Sequence, residues 1–162
     1  MSIDFIEPED FFDIHGNTSG NLSIDEAKLS MNVPIVVNYT HIDTGKTDFS
    51  FAQEFKKKDT EMYFKTMHDI ACNTINDIIT NSDIARHFLR TKITNRIYDL
   101  LVKLGLKKIS REELLIFHFA LYTDKDCADR KTDKRSPRIY FMLGKNGMIF
   151  PLFFDPYHEI NP

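Results

Sequence analysis

Six side chains able to do acid–base or anion chemistry gather near the end of the chain: Arg138, Tyr140, Asp155, Tyr157, His158 and Glu159. Histidine exchanges a proton near neutral pH and a carboxylate can orient it. A guanidinium can stabilise the charge that develops on a phosphorane-like transition state. Arg138, Asp155, Tyr157 and His158 are therefore the candidate catalytic residues, and the chemistry calls for no metal and no cofactor. The same residues have a plainer reading. Arg138 and Asp155 would form an ion pair across two strands, with Tyr157 and His158 closing the sheet end. Ion pairs in such places are common and contribute little.

What brings these residues together is a hairpin. Arg138–Gly144 and Met148–Phe154 flank Asn146-Gly147, a dipeptide that favours a two-residue type I′ turn. With that turn, Lys145 pairs with Met148, Ile139 with Phe154, Phe141 with Leu152 and Leu143 with Phe150. The last three pairs form one apolar face. Arg138 falls opposite Asp155, and Tyr140 opposite Phe153. Pro151 places the Met148–Phe154 strand on a sheet edge. The free side of Arg138–Gly144 is left to pair with the apolar run Leu114–Tyr122. Ser110 and Glu113 before that run have capping-box spacing, so residues 111–122 read as helix, strand or a turn of one leading into the other.

A second group of residues is basic. Arg86, Arg90, Lys92, Arg96, Lys107 and Lys108 lie in a stretch with few acids, and together they are the candidate nucleic-acid-binding residues. Their plainer reading is a solvated helix face. Net charge is −3, so the molecule as a whole makes no electrostatic bid for nucleic acid.

The remaining candidates reduce to packing or turns. His68 and Cys72 are four apart on an expected helix, but no second pair completes a metal site, so core or boundary packing explains them. His118 alternates with Phe117 and Phe119 and reads as a hydrogen-bonded core histidine. His41 lies near Asp43 at a strand end. Asp124, Asp126 and Asp129 lack the glycine and terminal glutamate of a calcium loop. Gly144-Lys145-Asn146-Gly147 is a turn, with no helix after it to hold phosphate.

The elements that carry these residues make an α+β fold. Residues 33–55 read as an N-terminal hairpin. Val33–Ile42 is rich in β-branched residues, Asp43–Lys46 is a turn, and Phe49 and Phe51 alternate. Two or three central helices span about 59–105. The first runs to about Ile79, with Tyr63, Met67, Ile70, Thr74 and Ile78 at helical spacing. The stripe Ile93, Ile97, Leu100, Leu101 and Leu104 ends at Gly105, a C-cap residue. Extended backward it loses phase, which implies two helices, or a helix and an irregular segment, with a break near Arg90–Lys92. The mostly antiparallel sheet is completed by strands within 114–155. Residues 1–30 form a loop-rich acidic arm on an otherwise single domain, 1–162. Within that arm Ser23, Asp25 and Glu26 open a short helical turn.

Length and composition exclude several classes. The chain has 162 residues, 42% of them hydrophobic, enough for a core and too apolar for disorder. Cys72 and Cys127 make no disulfide framework. No signal peptide and no membrane span are visible, so a soluble cytoplasmic protein is expected.

The segment from Arg138-Ile139-Tyr140-Phe141 to Phe154-Asp155-Pro156-Tyr157-His158 resembles the C-terminal end of small ribosome-associated toxin nucleases. Those combine a compact sheet with a final strand followed by an aromatic residue and a histidine. The resemblance implies RNA cleavage, with RNA gripped by the basic stretch. The chain departs from that group in its greater length, its negative charge and its lack of a specific motif.

No catalytic motif rises above composition. The expected function is therefore that of a small intracellular, non-catalytic interaction protein that binds a protein partner, of the inhibitor or mobile-element accessory kind. An exposed strand edge would serve the partner or a second copy of the chain. The alternative is a metal-independent, toxin-type RNA-cleaving enzyme that uses the C-terminal His/Tyr/Arg cluster.

Overall fold

Short helices and one broad sheet build the α+β architecture, seen in a computed structural model that describes residues 23–106, 114–122 and 136–162. The helices are α1 (Ile24–Met31), α2 (Lys57–Ala71), α3 (Ile75–Thr80) and α4 (Asn95–Lys103). The strands are β1 (Val36–Val37), β2 (Arg86–Arg90), β3 (Ile116–Ala120), β4 (Arg138–Leu143) and β5 (Met148–Asp155). They form one sheet in the order β1-β5-β4-β3-β2. All neighbouring pairs are antiparallel except β1 with β5, so the sheet is mixed.

Apolar layers cover both sides. On one side Tyr63, Met67 and Ile70 of α2 and Ile75 and Ile78 of α3 pack with Phe117, Phe119, Ile139, Phe141 and Phe154. On the other, Ile97, Leu100 and Leu101 of α4 pack with Ile116, Tyr140, Met142, Phe150 and Phe153. A strand buried on both faces needs no polar alternation, which is why Leu114–Tyr122 reads as an unbroken apolar run.

Local chemistry sets the helix boundaries. The helical turn expected at Ser23 opens α1 through a capping box: Ser23 N–H donates to Glu26 Oε2 at 2.8 Å and Glu26 N–H to Ser23 Oγ at 3.2 Å. The single helix expected from 59 to 79 is two. Asn73 donates its side-chain amide to Asp69 O at 2.7 Å, and Thr74 with Asp77 caps a new start. A capping box inside an amphipathic stripe thus splits it: Tyr63, Met67, Ile70 and Ile78 stay buried, while Thr74 becomes the half-buried cap. At the end of α4, Gly105 takes φ +95°. Leu106 N–H then reaches Leu101 O, and Gly105 N–H reaches Val102 O, both at 3.0 Å. This is a Schellman motif that needs glycine.

Three expectations are corrected. Residues 33–55 form no hairpin. Asp43, fully buried, gathers the amides of Gly45, Lys46 and Thr47 at 2.7–3.0 Å and folds the chain into a tight loop. Within this segment only Val36–Val37 is strand, running parallel to β5. Second, the break before α4 is real, but the segment preceding it is an edge strand, β2, rather than a helix or an irregular segment. Third, β5 is not an exposed edge. Asn38 N–H donates to Ile149 O, Asp43 N–H to Leu152 O, and Phe154 N–H to Phe49 O, each at 2.9 Å. Chain from Asn38 to Phe49 therefore covers the side on which the free edge was expected.

The β4–β5 hairpin keeps the expected register at one end only. Arg138 faces Asp155, Ile139 faces Phe154 and Tyr140 faces Phe153. Beyond a bulge the partners become Phe141–Pro151, Met142–Phe150 and Leu143–Ile149. The turn contains Lys145, Asn146 and Gly147, one residue more than a type I′ loop, closed by Gly144 N–H to Met148 O at 2.8 Å. One extra residue at the bulge compensates for the extra residue in the turn, so the far end returns to the expected pairing. The cost to the expectation is a face change: Phe150 and Leu152 belong to the α4 side, not to the face of Ile139, Phe141 and Leu143.

Residues 1–22, Ser110 with Glu113, Cys127 and the charged stretch Asp124–Arg135 lie outside the described residues.

Candidate functional site

Cross-strand registers assemble a polar cluster on the α4 side of the sheet. His118 of β3 pairs with Tyr140 of β4, which pairs with Phe153 of β5. One step along, Ala120 pairs with Arg138 and Arg138 with Asp155. Side chains two apart on a strand share a face, so His118, Tyr140, Arg138 and Asp155 are neighbours. The rings of His118 and Tyr140 lie 5.3 Å apart, tilted by 36°. All four residues are buried, with Asp155 at 0% exposure and Tyr140 at 1%.

Each group has a defined environment. His118 Nδ1 and Thr91 Oγ1 share a hydrogen bond of 2.6 Å. Burial, then the positive fields of Arg138, His158 and His87, push His118 down to about 4, so its imidazole is neutral at physiological pH. Arg138 Nη1 donates to Ser136 O at 2.8 Å. Asp155 Oδ1 accepts the N–H of Glu159 at 2.8 Å, and Oδ2 that of Ile160 at 2.7 Å. Burial raises the Asp155 carboxyl, against the pull of those amides, the Tyr157 amide and Arg96. Among the described residues the buried Tyr140 hydroxyl has no hydrogen-bond partner, and burial with the nearby Asp155 charge raises its pKa.

The expected quartet is thus only partly assembled. Arg138 faces Asp155 as the hairpin requires, but among the described residues Asp155 makes no ion pair; its oxygens hold the final turn of the chain instead. Tyr157 points elsewhere, its hydroxyl donating to Glu54 Oε2 at 3.2 Å. His158 is half-buried with φ +58°, and its field reaches His118. His118 is, as expected, a hydrogen-bonded core histidine, yet it also belongs to this cluster. Its sequence position gives one usable signal: it is a lone polar residue inside an apolar strand that pairs with Tyr140.

The basic residues do not form one patch. Arg86, Arg90, Lys92 and Arg96 are all exposed. Arg96 lies on α4 with its guanidinium 5.2 Å from the Phe49 ring, and its field reaches both Tyr140 and Asp155. Arg90 stands opposite Phe117, on the α2–α3 side. Arg86 stands opposite Ala120, beyond a bulge in which His87 takes φ +50°. It lines a polar cleft of about 250 Å³ with Lys65, Asp69 and Asp83, two cations facing two acids. Lys107 and Lys108 lie outside the described residues.

His68 and Cys72 are exposed near the end of α2 rather than packed in the core. Among the described residues no three His, Cys, Asp or Glu side chains are grouped to hold a metal, and no helix is long and apolar enough to cross a membrane.

The other surface feature is the outer edge of β2. No described residue pairs with it. Leu89 is 56% exposed there. Comparison of the chain with protein families, with curated proteins and with solved structures finds no match.

Proposed function

We propose that the chain is a non-catalytic interaction protein, of the inhibitor or accessory kind, that receives an extended segment of a protein partner along the outer edge of β2. The supporting observation is a strand edge that no described residue pairs with, carrying a large exposed apolar side chain. An edge of this kind is a template for β-strand addition. The buried polar cluster adds weight. Its carboxylate is occupied by two backbone amides, its histidine is neutral and tied to Thr91, and Tyr157 is turned away. A general acid–base pair needs groups that can reach a substrate proton.

The test uses Arg90→Pro. Thr91 N–H donates to Ile116 O at 2.7 Å, so alternation along the ladder turns Arg90 N–H away from β3. Proline there removes an outward donor and leaves the sheet ladder intact. Wild-type and variant protein are immobilised and exposed to native-host extract, with captured protein and nucleic acid both identified. The expected result is a protein partner held by the wild type and lost by a variant of equal melting temperature. Equal capture by both, or capture of nucleic acid alone, overturns the reading.

A second reading is metal-independent RNA cleavage at the polar cluster, favoured by the convergence of Arg96, Arg138 and His158 around His118 and Tyr140. His158→Ala tests it. Loss of RNA cleavage at unchanged melting supports it, and unchanged activity excludes it.

A further inference from the structure

We infer that the segment received by β2 is acidic as well as extended, and that it comes from a different protein rather than from the β2 strand of a second copy of this chain. The inference rests on the edge-docking reading just given and adds the chemistry of the partner.

The backbone defines the seat. Leu89 pairs with His118 and Thr91 bonds to Ile116, so the N–H and C=O of Phe88 and Arg90 face outward. The bulge at His87 ends the regular edge on one side. The seat is therefore short, from Phe88 to about Lys92, and side chains must supply much of the affinity.

Those side chains are one apolar group flanked by cations. Leu89 presents exposed apolar surface on the α4 side. Arg90 and Lys92 are exposed beside it, and Arg86 lies before the bulge. None of the three cations has an ion-pair partner among the described residues. Residues directly opposite on paired strands interact, and opposite charges stabilise the pair. A strand with an apolar residue against Leu89 and acids against Arg90 and Lys92 fits this edge.

The same charges oppose self-pairing. An antiparallel pair of β2 edges centred on Arg90 sets that residue against itself. Centred on Phe88 or Leu89, it brings Arg86, beyond the bulge, toward Arg90 or Lys92. Like charges directly opposite are destabilising. RNA is a poorer occupant, because outward backbone N–H and C=O groups in alternation match a peptide. The exposed residues from 86 to 92 also include no Phe, Tyr or Trp; His87, in the bulge, is the one aromatic ring there on which a base could stack.

The test is direct binding to the full chain, by fluorescence anisotropy and by backbone amide shifts. The probe is the labelled peptide acetyl-Val-Asp-Val-Asp-Val-Asp-Val-amide, compared with versions carrying Ser or Lys in place of Asp. Expected are binding of the acidic peptide, shifts confined to residues near Phe88–Lys92, and affinity about tenfold weaker for the Ser peptide, the scale of one charge-assisted contact. Arg90→Glu should weaken the Asp peptide by a similar factor and improve the Lys peptide; Arg90→Gln should fall between. Equal binding of the Asp and Ser peptides overturns the acidic partner and leaves edge docking standing. No binding by any peptide, with the β2 amides unmoved, overturns both. Oligouridine that displaces the Asp peptide and binds more tightly replaces the protein partner with nucleic acid. A wild-type chain that self-associates through β2 overturns the heterotypic assignment.

Discussion

His118 sits where burial and charge act in the same direction. It is enclosed between the sheet and α4, tied to Thr91, and surrounded by the positive fields of Arg138, His158 and His87. The unfolded chain takes up this proton near the ordinary histidine value of 6.5, the folded chain only near 4. Its contribution to stability is therefore complete above about 6.5 and is lost as pH falls toward 4, by roughly 1–3 kcal/mol. Asp155 works in the opposite sense, since its raised carboxyl takes up a proton in the folded state first and adds stability as pH falls. Urea unfolding across this window isolates the histidine: His118→Gln, whose amide can still bond Thr91, should show a shallower loss of stability than the wild type. A His118 ring titrating at its ordinary value in NMR would contradict the argument. The cluster itself was half legible from sequence. Arg138, Asp155 and His158 follow from the hairpin register. His118 does not, because its neighbours come from a strand whose register no local turn sets. Tyr157 misleads because the orientation of a residue beyond the last strand depends on a contact with Glu54, far away in the chain.

Among the elements, the β4–β5 hairpin places the site, and its turn admits little change. Asn146 and Gly147 have φ of +53° and +74°. A Cβ on Gly147 would stand 2.5 Å from Pro34 O and 2.9 Å from Val33 Cγ2. Neither backbone nor a packed valine can yield that much. Gly147→Ala combines strain with a clash, and each alone costs about 1–3 kcal/mol. It should lower the melting temperature by several degrees or more. Asn146→Gly, which relaxes a left-handed residue without adding atoms, should be close to neutral. Equal melting of Gly147→Ala and wild type would refute the close approach of residues 33–34 to this turn. The other elements show why some sequence signals transfer and others fail. The stripes of α2 and α4 and the apolar runs of β3 and β5 are legible because each buries many side chains against the sheet. In β2 only Phe88 is buried, so its five residues carry no period. The alternation of Phe49 and Phe51 suggests a strand. In the fold these two side chains serve opposite sides of the sheet from within a loop held by Asp43.

At the scale of the molecule, layers on both sides bury β3, β4 and β5, and the segment from Asn38 to Phe49 closes the side beyond β5. Among the described residues, the longer of the two edge strands left without an outer partner is β2; the other edge is the two-residue β1. An open edge invites association with any exposed strand, including the same strand in another copy, unless something on it forbids that. On the reading proposed above, the charges of Arg90 and Lys92, with Arg86 beyond the bulge, do so. They leave the edge open to a strand of opposite charge, so one set of residues would both oppose self-pairing and select a partner. Replacing all three by threonine, which suits a strand and carries no charge, should leave the fold intact and make the protein associate as concentration rises. Sedimentation velocity would show a dimer or larger species for the variant and a monomer for the wild type at the same near-neutral pH. High salt, which screens exposed charges, should move the wild type toward the variant's behaviour. If the threonine variant stays monomeric at concentrations where its strand edge is folded and exposed, charge is not what keeps the copies apart, and the bulge at His87 becomes the element that blocks the edge.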